Sequence, residues 1–178
     1  MKGIVFNLLE EAVVEAHGVG AWEQVLEDVG ADGAYTSLGN YPDQEALDLV
    51  AAICERVGAP ADEVLRGFGR SALPRLIARY PEFAAGHDSA KSFLLRLDDT
   101  VHPDVVKLYP DARPPRFDFE EPGPEVLVVH YVSERRLCAM AEGMIEASAA
   151  HFGETLALRH TDCMRDGASR CTFVATFG

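Results

Sequence analysis

A chain of 178 residues with 48% hydrophobic content can bury one substantial core, so one domain spanning 1–178 is expected. Its 29 acidic against 16 basic residues give a formal net charge of −13, which repels phosphate backbones and anionic lipid surfaces and disfavours nucleic acid and membrane partners. No apolar segment approaches the roughly 20 residues needed to cross a bilayer, and MKGIVFNLLEEAVVEAHG turns acidic too early for a secretory leader. The chain therefore reads as cytoplasmic. In that reducing compartment Cys54, Cys138, Cys163 and Cys171 suit burial or metal ligation better than a disulfide framework.

The first hundred residues read as helical. Ile4, Val5, Leu8, Leu9 and Ala12 recur at helical spacing, and Gly18 and Gly20 interrupt the pattern before Trp22, Val25, Leu26 and Val29 resume it. Trp22 is expected to be packing. Asp43 to Val57 carries an apolar face after Pro42, with Gly58 in the stop position. Asp62 to Tyr80 predicts a further helix that Pro74 breaks or kinks and Pro81 ends. Ser89 to Leu97 is a short helix leading into Asp98 and Asp99, which are expected to cap a helix or be solvated.

HPDVVKLYP follows, from His102 to Pro110. Pro103 suits a first helical turn, which puts His102 at or near the N-cap and Val105, Val106, Leu108 and Tyr109 on a buried side. The prolines in and just before DARPPRFDFEEPGP predict an extended connector. Glu125 to Tyr131 reads as a strand, and Ser133 can cap a long helix from Glu134 to Phe152, ended by Gly153. Two strands close the chain, Thr155 to Cys163 and Cys171 to Phe177, joined by an Asp166–Gly167 turn. The expected class is α+β: a helical part over about 1–85 packed on a second part, about 86–178, with an antiparallel sheet and a long helix.

Three groups of residues carry candidate chemistry. Unpaired amides at a helix start disfavour positive charge, so His102 is expected neutral, the form that ligates a metal; the plainer role is a cap. Tyr131, Ser133 and Arg135 alternate in YVSER and would present two hydroxyls and a guanidinium to one side, a set suited to a carboxylate. A solvated strand end with Ser133 as helix cap is the other reading. Cys138, His160, Cys163 and Cys171 have the residue types of a tetrahedral zinc site, or are buried thiols beside an unrelated histidine. His160 and Cys163 lie three apart and meet only across a bulge or early turn. Cys54 reads as core, and His17, His87, His130 and His151 show no partner pattern.

HxxVxxLYP followed by YxSxR resembles the haem nitric oxide/oxygen binding (H-NOX) family, and the resemblance covers essentially the whole chain, including PP-x-F at Pro114, Pro115 and Phe117. It implies a haem b between the two parts, with His102 as proximal ligand to iron, Tyr131, Ser133 and Arg135 on the propionates, and Pro115 wedged against the macrocycle. Oxygen-binding members carry a distal tyrosine in the helix after YxSxR. Here RLCAMAEGMIEASAAHF has none, and Met140 and Met144, with Val5 and Leu9, offer apolar walls. The resemblance thus implies tight nitric oxide binding, reversible carbon monoxide binding and poor oxygen binding. A haem enzyme is disfavoured, since nothing there would pull on an O–O bond.

Release of His102 when nitric oxide binds would free the 102–109 helix and regulate a partner, in bacterial relatives typically a histidine kinase or a cyclic-di-GMP enzyme. Some bacterial members are described with zinc and redox-active cysteines, which implies a structural, oxidant-responsive metal site at Cys138, His160, Cys163 and Cys171. The ending from Gly167 to Phe173 also resembles 4-vinyl reductase domains, which leaves a haem-free, zinc-stabilised small-molecule binder as the alternative.

Overall fold

A computed structural model describes residues 1–109 and 111–178, with only the backbone of Thr100. Four helices open the chain: α1 (Gly3–His17), α2 (Val19–Val29), α3 (Asp43–Val57) and α4 (Ala61–Arg79). They enclose a core of Phe6, Leu8, Leu9, Trp22, Val25, Leu49 and Ile53. Apolar residues at three- and four-residue spacing build each inward face. α4 continues unbroken through Pro74.

A short helix, α5 (Ala90–Leu95), leads through a π-helical turn (Leu97–Val101) into α6 (His102–Leu108). Four strands form one antiparallel sheet, β1 (Arg116–Glu120), β2 (Val126–Val132), β3 (Leu156–Asp162) and β4 (Cys171–Phe177), in the order β1-β2-β4-β3. α7 (Cys138–Phe152) joins β2 to β3 and buries Cys138, Ala141 and Ile145 in a second core with Leu127, Val129 and Phe173 of the sheet. No helix among the described residues is long and apolar enough to cross a membrane.

The α+β arrangement is as expected, with four local corrections. The proline-rich connector contains β1, because Phe117 and Phe119 alternate with exposed Arg116, Asp118 and Glu120 and pair with β2, Phe117 opposite Tyr131. α7 starts at Cys138 rather than Glu134: the Ser133 hydroxyl accepts from the Arg135 amide at 3.3 Å, and Arg136 adopts a left-handed φ of 51°, incompatible with a helix. Val106 and Leu108 face outward on α6, since only His102, Val105 and Tyr109, at i, i+3 and i+7, share its inner face. The last turn is a 3-10 turn (Met164–Asp166) closed by Gly167, whose φ of 97° favours glycine.

α4 and α7 pack with their backbones in close approach. A Cβ on Gly143 would lie 2.0 Å from the Arg66 carbonyl oxygen, and one on Gly69 2.2 Å from that of Met140. Only glycine lets these backbones meet. Arg66 and Arg70 of α4 then reach Glu142 and Glu146 of α7, with Arg66 to Glu142 at 3.0 Å and Arg70 to Glu146 at 2.5 Å. The glycine contact brings one helix of each part side by side and fixes the walls of the space above it.

Candidate functional site

That space is a cavity of about 310 Å3 enclosed by α1, α4, α6, β1, β2 and α7. Its wall is almost wholly apolar. The polar residues on it include His102 on α6, Tyr131 in β2 with Ser133 and Arg135 just after it, and Lys2 and Arg113. The hydroxyls of Tyr80 and Tyr109, which also line it, are hydrogen-bonded to each other.

His102 is the first residue of α6, but its neighbour Val101 is already helical, and the chain enters from the π-helical turn without a free helix start. The expected N-cap is therefore absent, and burial supplies what free amides were expected to. Burial holds the imidazole below its ordinary pKa, opposed by the Asp98 carboxylate. Nδ1 lies 2.8 Å from Asp98 Oδ1, which leaves Nε2 with no hydrogen-bond partner among the described residues. Asp98 is neither a helix cap nor a solvated charge: its Oδ2 accepts from the Phe117 amide at 2.7 Å. The four-residue spacing of Asp98 and His102 was the available signal.

Tyr131 is buried, and burial raises its pKa. Ser133 and Arg135 reach the same cavity from the turn before α7. Arg135 donates through Nε to Asp43 Oδ2 at 2.9 Å and through Nη1 to the Arg113 carbonyl at 2.7 Å. Its guanidinium is held at the cavity mouth by α3 and by the segment before β1. Sequence spacing could not reveal Asp43, which lies 92 residues away.

Val5, Met140, Met144 and Pro115 all line the cavity. Leu9 does not. It turns toward α3 and α4 and lines a separate small void with Val50 and Phe68, while Ile4 and Leu8 face the main cavity beside Val5. Successive helical residues diverge by about 100°, so one apolar stripe on α1 serves two cores.

On the far face of α7, Cys138, His160, Cys163 and Cys171 come together, their donor atoms all within 4.8 Å of one another. A register shift between His160 and Asp162 supplies the bulge that their spacing demanded. Cys138 Sγ lies 3.8 Å from Cys163 Sγ, and the Met164 amide donates to Cys171 Sγ at 3.2 Å. Burial pushes the Cys138 thiol up to about 12 and raises that of Cys171. At Cys163 burial acts the same way but is outweighed by hydrogen bonds from the backbone and side chain of Arg165, which lower its pKa. His160 Nδ1 is 2.7 Å from Glu142 Oε1, and its buried Nε2 has no hydrogen-bond partner among the described residues.

The sequence matches the haem-NO-binding family over residues 2–160. This chain belongs to that family. The fold agrees along its whole length: an H-NOX protein from S. oneidensis, solved in the Fe(II)NO state, superposes with a TM-score of 0.95 at 30% identity, covering 100% of this chain and 99% of that one. The Shewanella oneidensis domain in the Fe(II)CO state gives 0.91 at 30% identity over 100% and 99%. The H-NOX protein of K. algicida shares the fold, with a TM-score of 0.90 at 24% identity over 100% and 97%. H-NOX domains are haem-based gas sensors rather than enzymes.

The cavity fits such a group. A histidine-ligated haem calls for a neutral imidazole nitrogen, an apolar slot and cationic or hydroxyl donors for its carboxylates. His102 Nε2, the walls from α1, α4 and α7, and the set Tyr131, Ser133 and Arg135 are of those kinds.

Proposed function

We propose that this chain is a nitric oxide sensor, in which haem b lies between the part over about 1–85 and the part over about 86–178 of one domain. The observation that carries this reading is an apolar cavity holding one partly buried imidazole whose Nε2 has no hydrogen-bond partner among the described residues. His102 would ligate the iron, and Tyr131, Ser133 and Arg135 would bind the propionates. Pro115 would press on the macrocycle, and Met140, Met144, Val5 and Leu8 would wall the opposite face. The haem supplies a ferrous iron that takes a diatomic gas.

The rest is the work of side chains. The side chains of Val5, Leu8, Met140 and Met144 carry no hydrogen-bond donor, which bound oxygen needs for its partial negative charge and nitric oxide does not. His102 opens α6, so whatever displaces its ring acts directly on a helix whose outer side exposes Val106 and Leu108. Through that helix the chain would regulate a partner, a histidine kinase or a cyclic-di-GMP enzyme, in the cytoplasm. No peroxide turnover is expected.

Gas selectivity tests the reading. The ferrous protein should shift its absorption with nitric oxide and with carbon monoxide, and keep its unliganded spectrum during brief exposure to air. A long-lived oxygen complex would contradict it. Arg135→Ala removes charge-assisted hydrogen bonds of about 1.5–3 kcal/mol, which predicts haem loss to apomyoglobin faster by roughly tenfold or more. An unchanged rate would take Arg135 out of the propionate site.

A second observation favours zinc at Cys138, His160, Cys163 and Cys171. A histidine with Nδ1 on a carboxylate and a partnerless buried Nε2 among three thiols matches the usual outer-shell arrangement of a zinc ligand. Its role would be structural, and oxidant-responsive where released thiolates oxidise. Metal analysis should find zinc equimolar with chain and lost in Cys171→Ser. Metal-free protein with three freely titrating thiols would exclude it.

A further inference from the structure

We propose that Asp98 is a positioning residue that sets how strongly the His102 imidazole donates to iron, an inference that rests on His102 being the iron ligand. Asp98 lies in the π-helical turn Leu97–Val101, directly before α6. Turns of this kind are rare and concentrate at functional sites. One oxygen of its carboxylate takes the Nδ1 proton of His102 at 2.8 Å, and the other takes the Phe117 amide proton at 2.7 Å.

The Phe117 ring stacks on the imidazole, with centroids 5.7 Å apart and planes at 28°. Residue 117 thus fixes the ring plane with its side chain and the carboxylate with its backbone. Three consequences follow for the imidazole. Its tautomer is set, with the proton on Nδ1 and the lone pair on Nε2. Its rotation is blocked by the stack and by the bond to Asp98. Its basicity is raised, because a carboxylate acceptor draws the Nδ1 proton away and enriches Nε2 in electron density.

A carboxylate does this more strongly than a neutral acceptor, since hydrogen bonds to an ionised partner are roughly twice as strong. The iron–imidazole link should be stiffened, and the ferric state favoured over the ferrous. Asp98 would therefore oppose release of His102 when nitric oxide binds, and so set how readily α6 is let go.

The test compares ferrous haem-loaded protein with Asp98→Asn and Asp98→Ala by resonance Raman spectroscopy and redox titration. Asparagine keeps the size and one oxygen but loses the charge. The iron–histidine stretching band is expected at lower wavenumber in both variants, further in Asp98→Ala, with the midpoint potential more positive. A purely structural role would leave both readouts in place. Band and potential unchanged in folded variants would overturn the proposal. Absence of any iron–histidine band in the unmodified protein would sink His102 ligation itself, a distinct failure. Should neither variant fold, nuclear magnetic resonance of the unmodified carbon monoxide complex decides: a slowly exchanging, downfield Nδ1 proton supports the bond to Asp98, and a rapidly exchanging one overturns it.

Discussion

His102→Gly is expected to sever haem from α6 while leaving a pocket that still accepts the macrocycle. His102 is the sole imidazole lining the cavity, and no cysteine lines it among the described residues. The apolar walls and Arg135 remain, so the variant should take up haem but lose it faster than the roughly 10–100-fold that removal of an outer-shell partner costs a metal site. Added imidazole fits the space vacated by the side chain and should restore the absorption of the ferrous protein. It cannot restore a covalent path to the backbone of α6. Regulation of a partner by nitric oxide should therefore remain lost in the refilled variant. Regulation that survives, with haem bound but tied to no residue at position 102, would refute the lever.

Gly143→Ala should be strongly destabilising despite adding a better helix former. Alanine in a helix interior gains about 1 kcal/mol over glycine. At Gly143, however, the new Cβ would lie 2.0 Å from the Arg66 carbonyl oxygen, a backbone atom that no rotamer change can move. α4 and α7 must part, and overpacking of this kind costs about 1–3 kcal/mol or more. For a chain of this size that lowers Tm by about 2–12 °C. The walls Leu73 and Ile77 of α4 and Met140 and Met144 of α7 should separate with the helices, weakening haem retention as well. Gly67, two residues before Gly69 on α4, has nothing within 4 Å of an added Cβ, so Gly67→Ala should stabilise slightly. Thermal unfolding of the three proteins checks the sign, and a Gly143→Ala protein as stable as the parent would show that the helices can yield.

What could be read from the sequence was whatever is encoded over short spans. The alternation of Tyr131, Ser133 and Arg135 and the Pro103 start beside His102 are local, and the structure brings the side chains of His102, Tyr131, Ser133 and Arg135 to one cavity. The cysteines and His160 were legible as a set because their spacing named its own requirement, a bulge, which is present between His160 and Asp162.

What was missed depends on contacts across the chain or on rare backbone turns. Asp98 looked like a surface acid because the π-helical turn that aims it at His102 leaves no pattern in the residue types. Leu9 was placed in the cavity wall because an apolar stripe says that a residue is buried but not against what. β1 was hidden by its proline neighbours, although RFDFE alternates as an edge strand does. Ser133 satisfied the composition of a helix cap, yet the left-handed Arg136 postponed α7 by one turn.

The central claim is that this cavity holds haem through His102, and the haem content and spectrum of the purified protein test it most directly. Expressed in cells supplied with iron and a haem precursor, the chain should carry equimolar haem b, with an intense ferrous Soret band that moves when nitric oxide is added. A colourless protein, or a Soret band indifferent to nitric oxide, would contradict the account.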